Sequence, residues 1–185
     1  HAPTRDRAIE LMDNALDQYV VTGLGNNLNF LRDCMRNKTF RKGFYSTKFI
    51  EMEYPEGFHG VKLSEEETHQ LVATACAVQH ARSMQDMSAE AYESMEDVAD
   101  EVVIVLQDTS DEESVPRAFS CHVSADDALI SHIQELDTEG NPKGDAEVVS
   151  ITSMDWLNET PLMEIQFDDD EKDTVVQYSG RTADG

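Results

Sequence analysis

His69, Cys76 and His80 lie in one predicted helix, and they are the residue types that bind zinc and other borderline-soft metals. Their spacing matches no common zinc pattern, so the sequence supports a hydrogen-bonded histidine beside a buried structural cysteine. Cys121 and His122 are neighbours in a predicted strand; successive side chains there point to opposite faces, which prevents them from acting as a pair. Asp168-Asp169-Asp170-Glu171 has the oxygen ligands of a hard-cation site but lacks the glycine and ligand spacing of a calcium loop, and it reads as a solvated hairpin turn. Gly23-Leu24-Gly25-Asn26-Asn27 invites a phosphate-loop reading, yet Leu28 stands where a dinucleotide fingerprint needs its third glycine. Serines, histidines and aspartates are plentiful without forming a nucleophile elbow. The residues therefore assign no catalytic, cofactor-binding or metal-binding side chain. What they offer instead is a candidate partner surface at Met84, Met87, Tyr92 and Met95, adaptable side chains spread along an acidic segment. Packing of those four on their own domain explains them equally well.

The elements that would position these groups divide at Tyr54-Pro55-Glu56-Gly57-Phe58-His59-Gly60. Proline biases Tyr54 towards an extended backbone, and Gly57 and Gly60 permit positive φ, so neither flanking helical pattern runs through. Tyr54, Pro55 and Phe58 are too apolar for a free linker, and the expectation is a joint over residues 54–62 with these three packed in it. Residues 1–53 read as short helices. One has apolar positions at Ile9, Met12, Leu16 and Tyr19 behind a Thr4 cap; a second spans residues 28–35, capped by Asn26 or Asn27; a third spans residues 47–54, capped by Ser46 or Thr47 and burying Phe49, Ile50 and Met52. Arg32, Arg36, Lys38, Arg41 and Lys42 form the basic cluster, read as cations complementing helix C-termini.

Beyond the joint, Ser64-Glu65-Glu66-Glu67 is a capping box that starts a helix running to Arg82. Small residues occupy nearly every face of that helix, which suits a narrow enclosure. The period then changes from helical to two, with strands expected at residues 101–107, 118–124, 129–136, 147–153, 162–167 and 174–178. The fold class is α+β, with an antiparallel meander or barrel around a long helix.

A net charge of -24 is unevenly placed: residues 1–62 hold nine Lys and Arg against eight Asp and Glu, the remainder five against thirty. Such acidity repels a phosphate backbone and argues against nucleic acid or an anionic membrane as partner. It is read first as a solvated surface. Three scattered cysteines do not make a disulfide framework, and a reducing compartment is expected. The longest apolar run, residues 102–106, is far short of a membrane span. Beginning at His1-Ala2-Pro3, the chain is expected to be an internal fragment or a processed product.

A resemblance covers much of this. Arg5-x-x-Ala8-Ile9-x-x-Met12-x-x-Ala15-Leu16-x-x-Tyr19-x-x-x-Gly23, followed by Asn27, Phe30-Leu31, Phe40, Gly43, Thr47 and Phe49-Ile50, resembles the C-terminal end of the biotin carboxylase domain in biotin-dependent carboxylases. Ser46 to Ile50 running into Tyr54 to Gly60, with the helix at residues 63–82, Trp156-Leu157-Asn158, Pro161-Leu162-Met163 and Thr174 to Gln177, is similar to the α subunit of propionyl-CoA carboxylases. The resemblance implies three segments: the biotin carboxylase tail at 1–53, the joint at 54–62, and at 63–185 a BT domain truncated at its C-terminus. In that family the BT domain is a helix wrapped by an antiparallel β-barrel that docks the α subunit on the carboxyltransferase β subunit. It also implies biotin, ATP and magnesium as cofactors of the complete subunit and none bound by these residues. The nucleotide-binding residues lie upstream, and no lysine here is flanked by methionines as the biotinyl lysine is. The implied partners are the β subunit and the remainder of the α subunit, in a mitochondrial matrix or a bacterial cytoplasm. The acidic loops at residues 108–114 and 137–145 depart from the family. A standalone acidic adaptor and the α subunit of methylcrotonyl-CoA carboxylase are the alternatives.

Overall fold

A computed structural model describes residues 1–21, 25–86, 101–108, 114–125, 129–156, 160–168 and 173–178. Two compact units result, one of His1–Lys62 with Trp156–Met163 and Val175–Gly185, the other of Leu63–Asp155 with Glu164–Thr174.

In the first unit, α1 (Arg5–Asp17) begins at Thr4, whose side chain accepts from the Arg7 amide. Ile9 is its buried residue, whereas Met12 and Tyr19 of the expected apolar stripe are exposed. α2 (Leu28–Arg36) buries Cys34. It is held to α1 by ion pairs: Arg32 meets Asp17 at 2.6 Å and Arg36 meets Asp13 at 3.0 Å. The basic cluster thus does more than complement helix dipoles, since two of its members bridge helices.

Sequence reading missed the short α3 (Lys38–Lys42), although both of its ends are written in the chain. Asn37 Oδ1 accepts from the Thr39 and Phe40 amides, and Gly43 closes the turn at φ 77°. α4 (Phe49–Glu53) is shorter than residues 47–54. Of the three side chains expected to be buried there, Phe49 is half-buried, but Ile50 and Met52 are exposed, at 57% and 71%. A helix this short turns one narrow side inward, and Phe49 takes it by packing edge-on or tilted among Phe40, Tyr45 and Tyr54.

In the second unit, α5 (Glu65–Asp86) extends one turn past the predicted end. Its capping box closes in both directions, the Ser64 amide donating to Glu67 Oε2 at 2.8 Å and the Glu67 amide to Ser64 Oγ at 3.2 Å. Val72, Ala73 and Thr74 are all buried, and so are Cys76, Ala77 and Val78. Because consecutive helical residues are rotated by about 100°, burial of three in a row twice over enwraps some two thirds of the helix circumference. Small side chains are what allow backbone to approach from so many directions.

The enclosing surface is an antiparallel sheet with the strand order of the sequence: β1 (Glu101–Leu106), β2 (Arg117–Ala125), β3 (Leu129–Leu136), β4 (Glu147–Asp155), β5 (Leu162–Phe167) and β6 (Thr174–Gln177). These six lie within two residues of the predicted strands. The sheet is an open meander whose outer strands are β1 and β6. Strand periodicity sends Phe119, Cys121 and Val123 inward from β2, Ser131 and Ile133 from β3, Ile151 from β4, and Ile165 and Phe167 from β5. A register shift between Ile151 and Ser153 bends β4. Among the described residues no helix is long and apolar enough to cross a membrane.

Candidate functional site

The stretch expected to form a joint packs through its rings. Tyr54 meets Phe30 edge-on at 5.1 Å, and Phe58 lies 5.5 Å from Phe30. Between them the backbone turns through Gly57, whose amide donates to the Tyr54 carbonyl at 3.1 Å and whose φ is 90°. Pro55, exposed at the start of that turn, contributes a fixed φ, while the packing comes from the two aromatic side chains. Desolvation first, and then the hydrogen bond to Asp33, push the Tyr54 phenol far above its ordinary pKa. A phenol kept neutral in this way is a structural hydrogen-bond donor, not a base.

Met84, of the four candidate partner residues, is half-buried near the end of α5. Met87, Tyr92 and Met95 lie outside the described residues, as do Asp169, Asp170 and Glu171 of the acidic turn.

The metal-type residues of α5 do not converge. His69 sits edge-on against Phe119 at 6.2 Å, Cys76 is a hydrogen-bonded neighbour of Cys121, and His80 is a turn further along. Among the described residues no three His, Cys, Asp or Glu side chains are grouped to hold a metal ion. The expectation of a satisfied histidine fails at one atom, since His80 Nδ1 is buried without a hydrogen-bond partner. Cys121 is fully buried while His122 faces outward, its ring 6.0 Å from that of His132 across the β2–β3 pair.

The charged feature of the second unit that sequence reading missed centres on Arg117. Its guanidinium reaches Glu65 Oε2 at 2.8 Å and Glu135 Oε2 at 3.1 Å, and lies 5.1 Å from the Phe119 ring centre. Lys143 adds a second cation to Glu135 at 3.0 Å. Arg117 holds both carboxyls below their usual range and is itself held more firmly protonated. Residues 65, 117 and 135 are too far apart in the chain for any local pattern to have announced them.

Beside this network a cleft of about 450 Å³ opens between the start of α5 and the strands, with Glu65, Glu66, His69, Glu147, Ser150 and Asp168 in its wall. Four carboxylates there can receive cationic side chains and repel anions.

Residues 1–52 match the family described as the biotin carboxylase C-terminal domain. The chain is homologous to propionyl-CoA carboxylase alpha chains. It is 48% identical to that of Ruegeria pomeroyi over 77 residues, which is 42% of this chain and 11% of the relative. Against the mitochondrial alpha chain of Caenorhabditis elegans it is 41% identical over 78 residues, again 42% and 11%. With the human mitochondrial alpha chain the identity is 42% over 74 residues, 40% of this chain and 10% of the relative. The matched stretch thus spans about a tenth of the length of these relatives.

Proposed function

We propose that this chain is part of the biotin-carboxylase-bearing α subunit of propionyl-CoA carboxylase, and that its own task is structural. Residues 1–53 close the biotin carboxylase domain, and residues 63–185 dock the α subunit on the carboxyltransferase β subunit. One observation carries the reading. A homologous stretch of 78 residues cannot be contained in the 52 that match the biotin carboxylase tail, so the likeness to propionyl-CoA carboxylase alpha chains continues beyond it. Exposed apolar side chains in the first unit support it as well: Phe44 at 81%, Met52 at 71% and Ile50 at 57% form the kind of surface that a neighbouring body covers.

In the complete enzyme, ATP with magnesium and bicarbonate carboxylate biotin, and the carboxyl group passes to propionyl-CoA to give methylmalonyl-CoA. The described residues of the cleft do not fit those cofactors. The cleft of the second unit is walled by carboxylates that repel a nucleotide's phosphates, and no lysine lies between two methionines. No step of the reaction is therefore assigned to them. The compartment follows the source, a mitochondrial matrix or a bacterial cytoplasm, and three cysteines outside any disulfide suit either.

The test is co-expression of the tagged chain with a propionyl-CoA carboxylase β subunit, followed by size-exclusion chromatography. Co-elution is expected; separate elution overturns the docking role. Biotin-dependent ATP turnover by the purified chain overturns the structural assignment.

A further inference from the structure

The outer face of the sheet carries two imidazoles side by side. His122 on β2 and His132 on β3 are direct partners in the antiparallel register, and their ring centres lie 6.0 Å apart. Cys121 and Val123 flank the first and Ser131 and Ile133 the second, all four buried, so strand alternation leaves both rings on the solvent side. The row continues in both directions. Glu101 of β1 is the register partner of His122, and the exposed Val148 of β4 is the partner of His132. Along the strands on the same face stand Ser120 and Ser124 beside His122, and Ile130 and Gln134 beside His132, none of them cationic. Glu101 accepts a hydrogen bond from Ser120 Oγ at 2.6 Å, which holds a carboxylate on the β2 side of the row.

We propose that His122 and His132 are a two-imidazole site for a divalent transition-metal ion of the Zn²⁺, Ni²⁺ and Cu²⁺ class. The ring separation supports it. A metal binds an imidazole nitrogen at about 2.0–2.1 Å, which puts it about 3.2 Å from each ring centre and sets the two centres about 5.2 Å apart in tetrahedral geometry. Rings at 6.0 Å need to approach by only about 0.8 Å, which side-chain rotation supplies at a solvent-facing pair. Among the described residues no three His, Cys, Asp or Glu side chains are grouped to hold a metal, so the protein supplies two ligands and water completes the shell. Affinity is therefore modest. Ligand type sets selectivity, because imidazole nitrogen suits Cu²⁺, Ni²⁺ and Zn²⁺, whereas Mg²⁺ and Ca²⁺ require oxygen. The charge around the pair favours any cation: residues 63–185 hold five Lys and Arg against thirty Asp and Glu. A bound ion links β2 to β3 beyond their backbone ladder and so stabilises the folded sheet by mass action.

The experiment titrates Zn²⁺ into the full, metal-stripped chain by calorimetry, beside His122→Asn and His132→Asn. Wild type should bind one Zn²⁺ that each variant binds about tenfold more weakly or not at all, since one imidazole cannot chelate. Saturating Zn²⁺ should raise the thermal midpoint of wild type more than that of either variant. Diethyl pyrocarbonate labelling of wild type, mapped within tryptic peptide 118–143, should show His122 and His132 protected together by Zn²⁺ and by neither Mg²⁺ nor Ca²⁺. Equal Zn²⁺ stoichiometry and affinity in wild type and both variants overturns the proposal. So does labelling of the two histidines that Zn²⁺ leaves unchanged, or protection of one without the other. The wild-type labelling decides the matter even if a variant fails to fold.

Discussion

The Tyr54 hydroxyl donates to Asp33 Oδ2 at 2.6 Å, joining the segment after α4 to the middle of α2. That bond and the Phe30 ring beneath it make the first glycine-containing turn of the joint part of a packed body.

Removing the hydroxyl alone isolates that bond. Tyr54→Phe should destabilise the chain by about 1–2 kcal/mol, as expected for a hydrogen bond to a charged acceptor in a half-buried place. The folded phenol pKa is raised above the unfolded one, so its contribution is fully present below about pH 10 and is lost as the pH climbs further. Urea titrations should show wild type losing stability above pH 10 more steeply than Tyr54→Phe. Parallel alkaline limbs would show that the phenol is not held neutral by folding.

The enclosure of α5 makes a steric prediction. Ala77 is fully buried, so Ala77→Leu should cost about 1–3 kcal/mol by overpacking, whereas Gln79→Leu, two positions on and exposed, should stay within about 0.5 kcal/mol. Equal effects in chemical denaturation would mean that the sheet does not confine the helix.

How much of this was legible beforehand depends on the range of the interaction. The capping box at Ser64 and Glu67 is a four-residue pattern, and the six strands follow from alternation within each, so both are readable locally. α3 is equally local, set by its Asn37 cap and Gly43 stop, but at five residues it is too short to show an apolar period of its own. Ile50 and Met52 misled because an apolar residue in a short helix states a preference for burial without saying whether this chain supplies the cover. The Arg117 network and the Cys76–Cys121 contact lay beyond sequence patterns altogether. Each exists only because α5 crosses β2 at a particular height, which is a result of packing and not of local spacing.

Gly57 tests the turn itself. At φ 90° an added Cβ meets no atom within 4 Å, so any loss is backbone strain and not crowding. Gly57→Ala should cost about 1–2 kcal/mol, and Gly57→Asn less, because asparagine tolerates positive φ better. A reversed order in thermal denaturation would argue that the turn is not the source of the strain.

Glu135 offers a pH test for the second unit. It is the less exposed carboxylate of the network, at 18%, and receives hydrogen bonds from both Arg117 and Lys143, which depress its folded pKa below the unfolded value near 4.3. A depressed carboxyl stabilises above the unfolded pKa and loses that contribution as the pH falls through the folded one. Glu135→Gln should therefore cost about 1–2 kcal/mol at pH 7, and the gap to wild type should narrow as the pH falls below about 4, where Glu135 of the wild type takes up its proton. Glu65 differs in exposure, at 73%, so its pair with Arg117 should weaken in 1 M salt while the effect of Glu135→Gln largely persists. Stability curves at two pH values and two salt concentrations separate the two carboxylates, and a Glu135→Gln deficit unchanged by acid would show that the loss is one of packing.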